Sequence, residues 1–357
     1  MRPFLRRVLS TLLVSVVLLG SLEIAARVLE PRFIPPDRTL PLPRPGVDAD
    51  FLEKASRVRD TLGGLPMVND DATGWNLPAD RVIMSGNVPC RINTLGIRGP
   101  ELGPRAADEE RLFTLGDSSV FGDGVPEWNV FSSVAARRLA GLWQKPVTGV
   151  IGGVPGHDSG QSLARLKVTG GGVQPTWVII ANLWSDVYKD NGFLRPEPVV
   201  ATVRDPLRKL AAYRVVRQLL TPLLLRRKVS WIASMDGDVG GQDGEARSRV
   251  LLRDYILNLR AIADLTKSLG ARPAFLALPA PIDLDPAGPP EDVRSYREAM
   301  RAVAQEYAAP YIDGPAWFHD HGGTIGHFAD QVHPNVHGHA LIGEAVSAGL
   351  ASAAQAR

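Results

Sequence analysis

The sequence contains a single cysteine and almost no net charge. One cysteine, Cys90, excludes an intrachain disulfide, and we expect it to be a small buried apolar side chain rather than a nucleophile. Forty Lys and Arg residues against 38 Asp and Glu residues give a formal net charge of +2, which is too balanced to indicate a nucleic-acid partner. A hydrophobic content of 45% over 357 residues is typical of a globular protein and excludes extensive disorder.

The amino terminus differs from the rest of the chain. Arg2, Arg6 and Arg7 precede an uncharged apolar run over residues 8–22. This pattern predicts a single-pass anchor over residues 1–32 in a bacterial inner membrane, with the remainder of the chain on the periplasmic side. The run is short for a span, but no A-x-A cleavage site follows it. We therefore favour an uncleaved anchor over a cleavable signal or a buried core helix.

A proline-rich stretch follows the apolar run. Six prolines between Pro31 and Pro45 disfavour a helix or a central strand and indicate an extended tether. Glycine and proline turns continue to residue 110. We therefore interpret residues 33–110 as a tether followed by a small irregular or β-hairpin extension.

From residue 111 to 355, apolar strands alternate with amphipathic helices. This alternation is typical of an α/β domain with a doubly wound, five-stranded parallel sheet covered on both faces. The predicted strands are residues 111–115, 147–152, 177–183, 273–278 and 310–313, and the clearest helices are residues 249–269, 292–307 and 338–350. In such a fold the site lies at the carboxyl ends of the strands.

Residues 188–248 form an insertion that is too long for a simple connection. Its middle, residues 204–228, carries eight Lys and Arg residues among leucines and valines. A basic amphipathic helix of this kind fits an anionic membrane surface, a cap over the active site, or a solvated helix packed by its leucine face.

The strongest chemical signal is a serine directly after the first predicted strand. Residues 112–119 read LFTLGDSS, which places Ser118 on a turn into a helix. Its hydroxyl would project at the strand end, and the N–H groups of the turn, including that of Ser118, would face a developing oxyanion. Gly-Asp-Ser alone fits an ordinary helix N-cap better than a nucleophile, so the nucleophile interpretation depends on a second motif.

The second motif is an aspartate and a histidine three residues apart near the carboxyl terminus. Asp330 and His333 precede the last predicted helix, at the sheet edge where Ser118 is expected. On one turn the carboxylate can bind imidazole Nδ1 and leave Nε2 facing the nucleophile. We predict a catalytic triad of Ser118, His333 and Asp330.

With these motifs the chain resembles the SGNH hydrolase superfamily, also called GDSL esterases, over about residues 111–350. The resemblance implies a flavodoxin-like fold, ester hydrolysis without a cofactor, Ser118 as nucleophile, and Asp330 and His333 as its partners. Residues 150–156 are similar to the family's second block, in which a glycine donates its backbone N–H to the oxyanion. Gly156 is our candidate for that role.

The chain departs from the family at the third block, G-x-N-D. Here residues 182–186 read NLWSD, which aligns Ser185 with the oxyanion-hole asparagine. Three alternatives follow: the Ser185 hydroxyl donates instead, Asn182 reaches in from the strand, or the hole has only two donors. Removal of one such donor typically costs about 2.7–4 kcal/mol of transition-state stabilisation.

Residues 93–99, NTLGIRG, resemble a segment common in bacterial envelope-anchored members of the superfamily. We assign no chemistry to this segment and predict a turn that docks the extension onto the sheet.

Six of the seven histidines fall between His319 and His339, which raises the question of a metal site. No H-E-x-x-H motif or cysteine cluster accompanies them, and His337 and His339 would lie on different faces of a helix. We therefore predict no metal site.

The sequence predicts acyl transfer from a small-molecule ester or an acylated glycan or lipid. Two alternatives remain open. One is an O-acetyltransferase or O-acetylesterase acting on envelope polysaccharide through the same triad. The other is a catalytically inactive glycan-binding or assembly protein, suggested by the missing third-block asparagine.

Overall fold

The computed structural model describes residues 14–15, 17–28, 40–41, 67–85, 88–187, 212 and 248–355. The chain divides into two units, Met1–Asp37 with Asn191–Glu245, and Arg38–Asp190 with Ala246–Arg357. Most of the proline-rich stretch lies outside the described residues, as does the 188–248 insertion apart from Ala212 and Ser248.

A five-stranded parallel sheet organises the larger unit. Its strands, numbered after five short strands nearer the amino terminus, are β6 (Glu110–Leu115), β7 (Val147–Ile151), β8 (Trp177–Ile180), β9 (Arg272–Ala277) and β10 (Tyr311–Asp313). The order across the sheet is β10-β9-β8-β6-β7. The chain therefore winds one way from β6 to β7 and the other way from β8 to β10, which confirms the α/β fold class with a five-stranded parallel sheet.

Helices cover both faces of this sheet. They are α1 (Ser118–Phe121), α2 (Phe131–Trp143), α3 (Ser159–Val173), α4 (Trp184–Val187), α5 (Leu252–Ser268), α6 (Glu291–Glu306), α7 (Gly314–Asp320) and α8 (Val336–Gln355). Helices α2 and α8 pack together on one face, and α3, α5 and α6 pack side by side on the other. Every residue of β8 is buried, because this central strand has a helical layer on each side.

The observed boundaries differ from the predicted ones mainly in two places. Strand β8 ends at Ile180 rather than at residue 183, because its neighbour β6 ends at Leu115. The carbonyl of Leu115 accepts the N–H of Ala181, and the chain then turns into α4. Helix α8 runs from Val336 to Gln355, beyond the predicted 338–350, because alanine at its carboxyl end sustains a helix without apolar periodicity.

The extension before the sheet is built from short antiparallel strands. Strands β2 (Val68–Asp70) and β3 (Gly74–Asn76) form one hairpin, and β4 (Arg81–Ser85) pairs with β5 (Val88–Ile92) and with β1 (Leu40–Pro41) at its other edge. The extension therefore contains β-hairpins. The extension has a small core of its own, to which Phe121 of α1 and Val154 of the loop after β7 contribute. Cys90 lies fully buried in this core, and burial raises the pKa of its thiol to about 11.

In the smaller unit, residues 17–28 are helical. Glu23 accepts hydrogen bonds from the Arg27 side chain at 2.9 Å and from the backbone N–H of Ala212 at 3.0 Å. Among the described residues, none of the helices combines the length and the apolar character needed to cross a bilayer.

Candidate active site

The turn that carries Ser118, the candidate nucleophile, lies at the carboxyl end of β6. Gly116 follows the strand, and a Cβ on it would stand 2.4 Å from Val120 Cγ2, so this close approach requires glycine. Asp117 caps the next helix, accepting the N–H of Ser119 at 3.0 Å on Oδ1. Ser118 is the first residue of α1. The N-cap interpretation and the nucleophile interpretation of Gly-Asp-Ser are therefore compatible, because Asp117 provides the cap and leaves Ser118 beside it.

Asp117 also connects the nucleophile turn to the third-block segment. Its Oδ2 accepts the backbone N–H of Ser185 at 3.1 Å. Full burial raises the pKa of this carboxyl, and hydrogen bonds from Ser119 and Ser185 oppose that rise. One carboxylate therefore fixes the relative positions of α1 and α4.

Asp330 and His333 share one turn, as their spacing predicts. Asp330 Oδ1 accepts the N–H groups of Val332 and His333 at 2.9 and 2.8 Å, and its Oδ2 lies 2.6 Å from His333 Nδ1. Partial burial alone raises the pKa of Asp330, but these donors outweigh burial and hold the pKa below its usual value. The aspartate is therefore ionised and orients the imidazole.

The two motifs meet across 215 residues of sequence: His333 Nε2 lies 2.7 Å from Ser118 Oγ. With Nδ1–H donating to Asp330, Nε2 is left as an acceptor for the serine hydroxyl. Serine, imidazole and carboxylate form one continuous hydrogen-bonded line. This arrangement has the nucleophile–base–orienting group geometry of an activated hydroxyl.

Gly156 lies on the loop after β7. Its φ of +79° favours glycine, and a Cβ there would stand 3.3 Å from the Trp75 ring. Among the described residues, the N–H groups of Ser118 and Gly156 donate no hydrogen bond to another group. Both residues therefore remain candidates for the oxyanion hole.

The two third-block candidates differ in exposure. Ser185 is partly exposed at the start of α4, whereas Asn182 is fully buried. Neither polar atom of the Asn182 side chain has a hydrogen-bond partner among the described residues. A side chain without accessible surface does not reach a ligand, so of these two residues only the partly exposed Ser185 remains a candidate donor.

Sequence reasoning missed the contacts of Asp186. Its Oδ1 accepts the backbone N–H and the hydroxyl of Ser159 at 2.9 and 2.6 Å. Full burial raises the pKa of Asp186 to about 8, despite the hydrogen bonds from Ser159. This carboxyl connects α4 to the first residue of α3, just beyond Gly156. The aspartate of the third block signals this residue in the sequence, but its partner on a different helix does not follow from the spacing.

Arg249 was also missed. Its guanidinium donates to the carbonyl of Gly156 and to Gln161 Oε1, both at 2.6 Å, and lies 3.1 Å from Asp158 Oδ2. The residue follows the 188–248 insertion directly. It therefore holds the candidate oxyanion loop through the Gly156 carbonyl and two side chains near it.

The histidines after residue 318 have separate surroundings. His321 stacks on Trp317 with ring centroids 3.7 Å apart, and His327 caps a turn at Thr324. His339 is fully buried, where its Nδ1 accepts the N–H of Phe131 and burial lowers its pKa to about 3. Across the described part of the chain, no three His, Cys, Asp or Glu side chains converge as metal ligands do.

Comparison with known proteins identifies the family. The family model for the GDSL-like Lipase/Acylhydrolase family matches residues 114–341, which is more than half of the chain. No curated protein matches the sequence.

Several solved structures are similar to this chain at low sequence identity. An esterase from Pseudoalteromonas sp. is 13% identical, with a TM-score of 0.42, and the match covers 69% of this chain and 99% of that one. A GDSL-like lipase from Parabacteroides merdae is 13% identical, with a TM-score of 0.43 and coverages of 70% and 98%. An acetyl-xylooligosaccharide esterase variant from Geobacillus is 19% identical, with a TM-score of 0.41 and coverages of 68% and 94%.

The family match spans both the segment that carries Ser118 and the segment that carries Asp330 and His333. The chain belongs to the GDSL-like lipase/acylhydrolase family and is a hydrolase of ester bonds.

Proposed function

We propose that this protein cleaves an acyl or acetyl ester through a Ser118–His333–Asp330 triad and a covalent acyl-enzyme. The observation that supports this most directly is the line from Ser118 Oγ to His333 Nε2, 2.7 Å, and from His333 Nδ1 to Asp330 Oδ2, 2.6 Å. His333 takes the hydroxyl proton as Ser118 Oγ attacks the ester carbonyl. The resulting imidazolium is stabilised by the ionised Asp330.

The negative charge of the tetrahedral intermediate falls on the former carbonyl oxygen. The N–H groups of Ser118 and Gly156 stabilise it, and the Ser185 hydroxyl is the third donor in this proposal. His333 then returns its proton to the leaving alcohol, and the acyl group remains on Ser118. A water molecule, deprotonated by the same histidine, releases the acid and restores the serine.

The test uses the full chain with p-nitrophenyl acetate and longer-chain esters. Ser118→Ala is expected to abolish turnover and labelling by a fluorophosphonate probe. Ser268→Ala is the matched control, because it removes an exposed hydroxyl that donates only to the carbonyl of Leu265. Wild-type turnover in Ser118→Ala would exclude Ser118 as the nucleophile.

Pairing of the two residues is tested by combining variants. His333→Ala is expected to lose nearly as much activity as Ser118→Ala, and the double variant is expected to be no worse than either single variant, because the two residues act as a unit. Multiplied losses in the double variant would contradict the pairing.

The same protein preparation tests whether water or a sugar hydroxyl accepts the acyl group. Incubation with an acetyl ester and a polysaccharide distinguishes hydrolysis, which gives free acetate, from transfer, which gives acetylated glycan. Free acetate as the main product supports the hydrolase, and acetylated glycan would favour the transferase alternative. Binding of glycan without either product would favour the inactive glycan-binding alternative.

We also propose that residues 1–32 anchor the protein in the inner membrane with the catalytic domain on the periplasmic side. The support is the three arginines before an apolar run and the exposed apolar side chains on the described helix, such as Leu18, Leu19 and Leu22. A periplasm-active reporter fused after residue 357 is expected to be active. Activity only of a cytoplasm-active reporter at that position would overturn the orientation.

A further inference from the structure

The segment at residues 93–99, to which the sequence assigns no chemistry, is a rigid turn. Asn93 Oδ1 accepts the N–H groups of Leu95 and Ile97, each at 3.0 Å, and Asn93 Nδ2 donates to the carbonyl of Pro100. Gly96 provides the left-handed residue of the turn, with a φ of +69°. These bonds therefore hold Arg98, within the same segment, in a fixed place.

Arg98 lies between the extension and the parallel sheet. Its backbone bridges to Ile92 of β5 on one side and to Ile151 of β7 on the other. These bridges confirm the predicted docking of the extension onto the sheet. The side chain of Arg98 is only 1% exposed, so its charge requires partners within the protein.

These partners are three carbonyl groups of the chain that follows the nucleophile. Arg98 Nη1 donates to the carbonyls of Phe121 and Gly122 at 2.6 and 2.7 Å, and Nη2 donates to the carbonyl of Val125. The guanidinium carbon also lies 4.7 Å from the centre of the Phe121 ring. The turn at the end of α1 therefore wraps around a buried cation.

Gly122 connects this cation to Ser118 through two hydrogen bonds. The N–H of Gly122 donates to the carbonyl of Ser118 at 3.0 Å, while the carbonyl of Gly122 accepts from Arg98. Helix α1 has only four residues, too few to be stable by itself, and the last carbonyl groups of any helix lack donors within it. Arg98 supplies donors to the end of α1 where the helix cannot.

A second side chain of the extension holds the same turn. The Ser85 hydroxyl donates to Asp123 Oδ1 and accepts the N–H of Gly124 at 2.7 Å. Two residues of the extension, Arg98 and Ser85, thus bind the segment between Phe121 and Val125 from one side. Asp117 holds the other end of α1 from the sheet side.

We propose that Arg98 is a positioning residue for the nucleophile: by binding the carbonyls after α1, it keeps Ser118 Oγ within hydrogen-bonding distance of His333. The proposal rests on the function proposed above. It assigns the amino-terminal extension a part in the reaction beyond docking. A displacement of about 1 Å at the reacting atom can lower a rate about 10²-fold, so a looser turn lowers turnover more than substrate binding.

The test compares Arg98→Lys with Arg111→Lys in the full chain. Arg111 is the matched control, because its buried guanidinium also binds backbone carbonyls, those of Val173 and Gly103, but at the start of β6 rather than beyond its end. Lysine keeps the charge in both variants and loses the planar fork that reaches several carbonyls at once.

Arg98→Lys is expected to lower kcat for p-nitrophenyl acetate by about 10- to 100-fold, with KM within about threefold of wild type. The second-order rate of fluorophosphonate labelling of Ser118 is expected to fall in proportion. Arg111→Lys is expected to lower the unfolding midpoint while kcat stays within about threefold of wild type. Equal kcat values for Arg98→Lys and wild type, or equal kcat losses in both arginine variants, would overturn the proposal.

Ser85→Ala provides a second measurement if Arg98→Lys does not fold. It loosens the same turn without leaving a buried charge, and it is expected to lower kcat and the labelling rate severalfold at unchanged KM. Wild-type kcat in a folded Ser85→Ala would then overturn the proposal. Failure of the wild-type protein to be labelled would overturn the proposed function and the positioning role with it. Normal labelling of Arg98→Lys would overturn the positioning role alone.

Discussion

The hydroxyl of Ser119 donates a hydrogen bond to the backbone carbonyl of Val332, at 3.0 Å. Ser119 follows Ser118 and Val332 precedes His333, so this bond joins the two motifs of the candidate site through their neighbours. It is buried at Ser119, which is 1% exposed. The second serine of the Gly-Asp-Ser-Ser run is therefore part of the site, although sequence reasoning passed over it.

Ser119→Ala is expected to lower kcat about tenfold while KM changes little, because the bond fixes the approach of His333 to Ser118 and does not touch substrate. Kinetics with p-nitrophenyl acetate measure this. Ser347→Ala is the control, since that buried hydroxyl also donates to a backbone carbonyl, that of Glu344. A kcat loss of the same size in Ser347→Ala would show that the effect is not local to the site.

Asp330→Asn is expected to lower kcat by up to about 10⁴-fold, because an amide beside Nδ1 disfavours the tautomer in which Nε2 accepts the serine proton. Loss of the carboxylate also removes the charge that stabilises the imidazolium. The control is Asp285→Asn, in which the replaced side chain caps only a surface turn at Ala287. Activity of Asp330→Asn within about tenfold of wild type would leave Asp330 without an orienting role.

Variants at the third block decide among the three oxyanion alternatives. Ser185→Ala is expected to lower kcat about tenfold or more at unchanged KM, because it removes a donor at a partly exposed position. Asn182→Ala is expected to leave kcat within about threefold of wild type, because the buried side chain does not reach the cleft. The reverse pattern would assign the donor to Asn182, and wild-type kcat in both variants would indicate a hole with two donors.

Arg249→Lys is expected to lower kcat about tenfold, because a lysine cannot bind the carbonyl of Gly156, Gln161 and Asp158 together. The Gly156 N–H, the proposed oxyanion donor, then loses its fixed position. Arg253→Lys, four residues on and highly exposed, is the control and is expected to match wild type. Normal kcat in Arg249→Lys would show that the loop holds Gly156 without this contact.

Asp186→Asn is expected to change how stability depends on pH. Folding raises the pKa of this buried carboxyl from 3.8 to about 8. The native protein therefore holds a proton on Asp186 that the unfolded chain releases above its lower pKa. The stability that this difference contributes is complete below the unfolded pKa and is lost as pH rises through the folded pKa. Asparagine does not titrate, so the variant is expected to gain stability relative to wild type between about pH 4 and pH 8 and to hold that gain above.

Unfolding midpoints measured from pH 5 to pH 9 test this prediction. Asp292→Asn is the control, because that carboxylate lies in the first turn of α6 and is only partly buried. Parallel wild-type and Asp186→Asn curves over this range would show that Asp186 does not keep its proton in the native protein.

The elements of the sheet were predictable because their signals are local. An apolar run such as residues 177–180 is buried on both faces wherever it occurs in a parallel sheet, and the motifs around Ser118 and His333 lie directly after strand or before helix signals. Asp330 and His333 share a turn, so their pairing follows from spacing alone. The anchor over residues 1–32 remains a prediction from its charge and apolar pattern.

The tertiary structure decided the contacts that join distant segments. The sequence around Arg98 predicts only a glycine turn. Nothing near it indicates that its guanidinium binds carbonyl groups 23 to 27 residues later in the chain. The Ser119–Val332 bond and the Arg249–Gly156 bond likewise join segments that have no common periodicity. The sequence by itself determined the candidate catalytic residues, because residue type and local turn specify them. Only the packed fold decided what holds them in place, because those partners are set by which strand ends become neighbours.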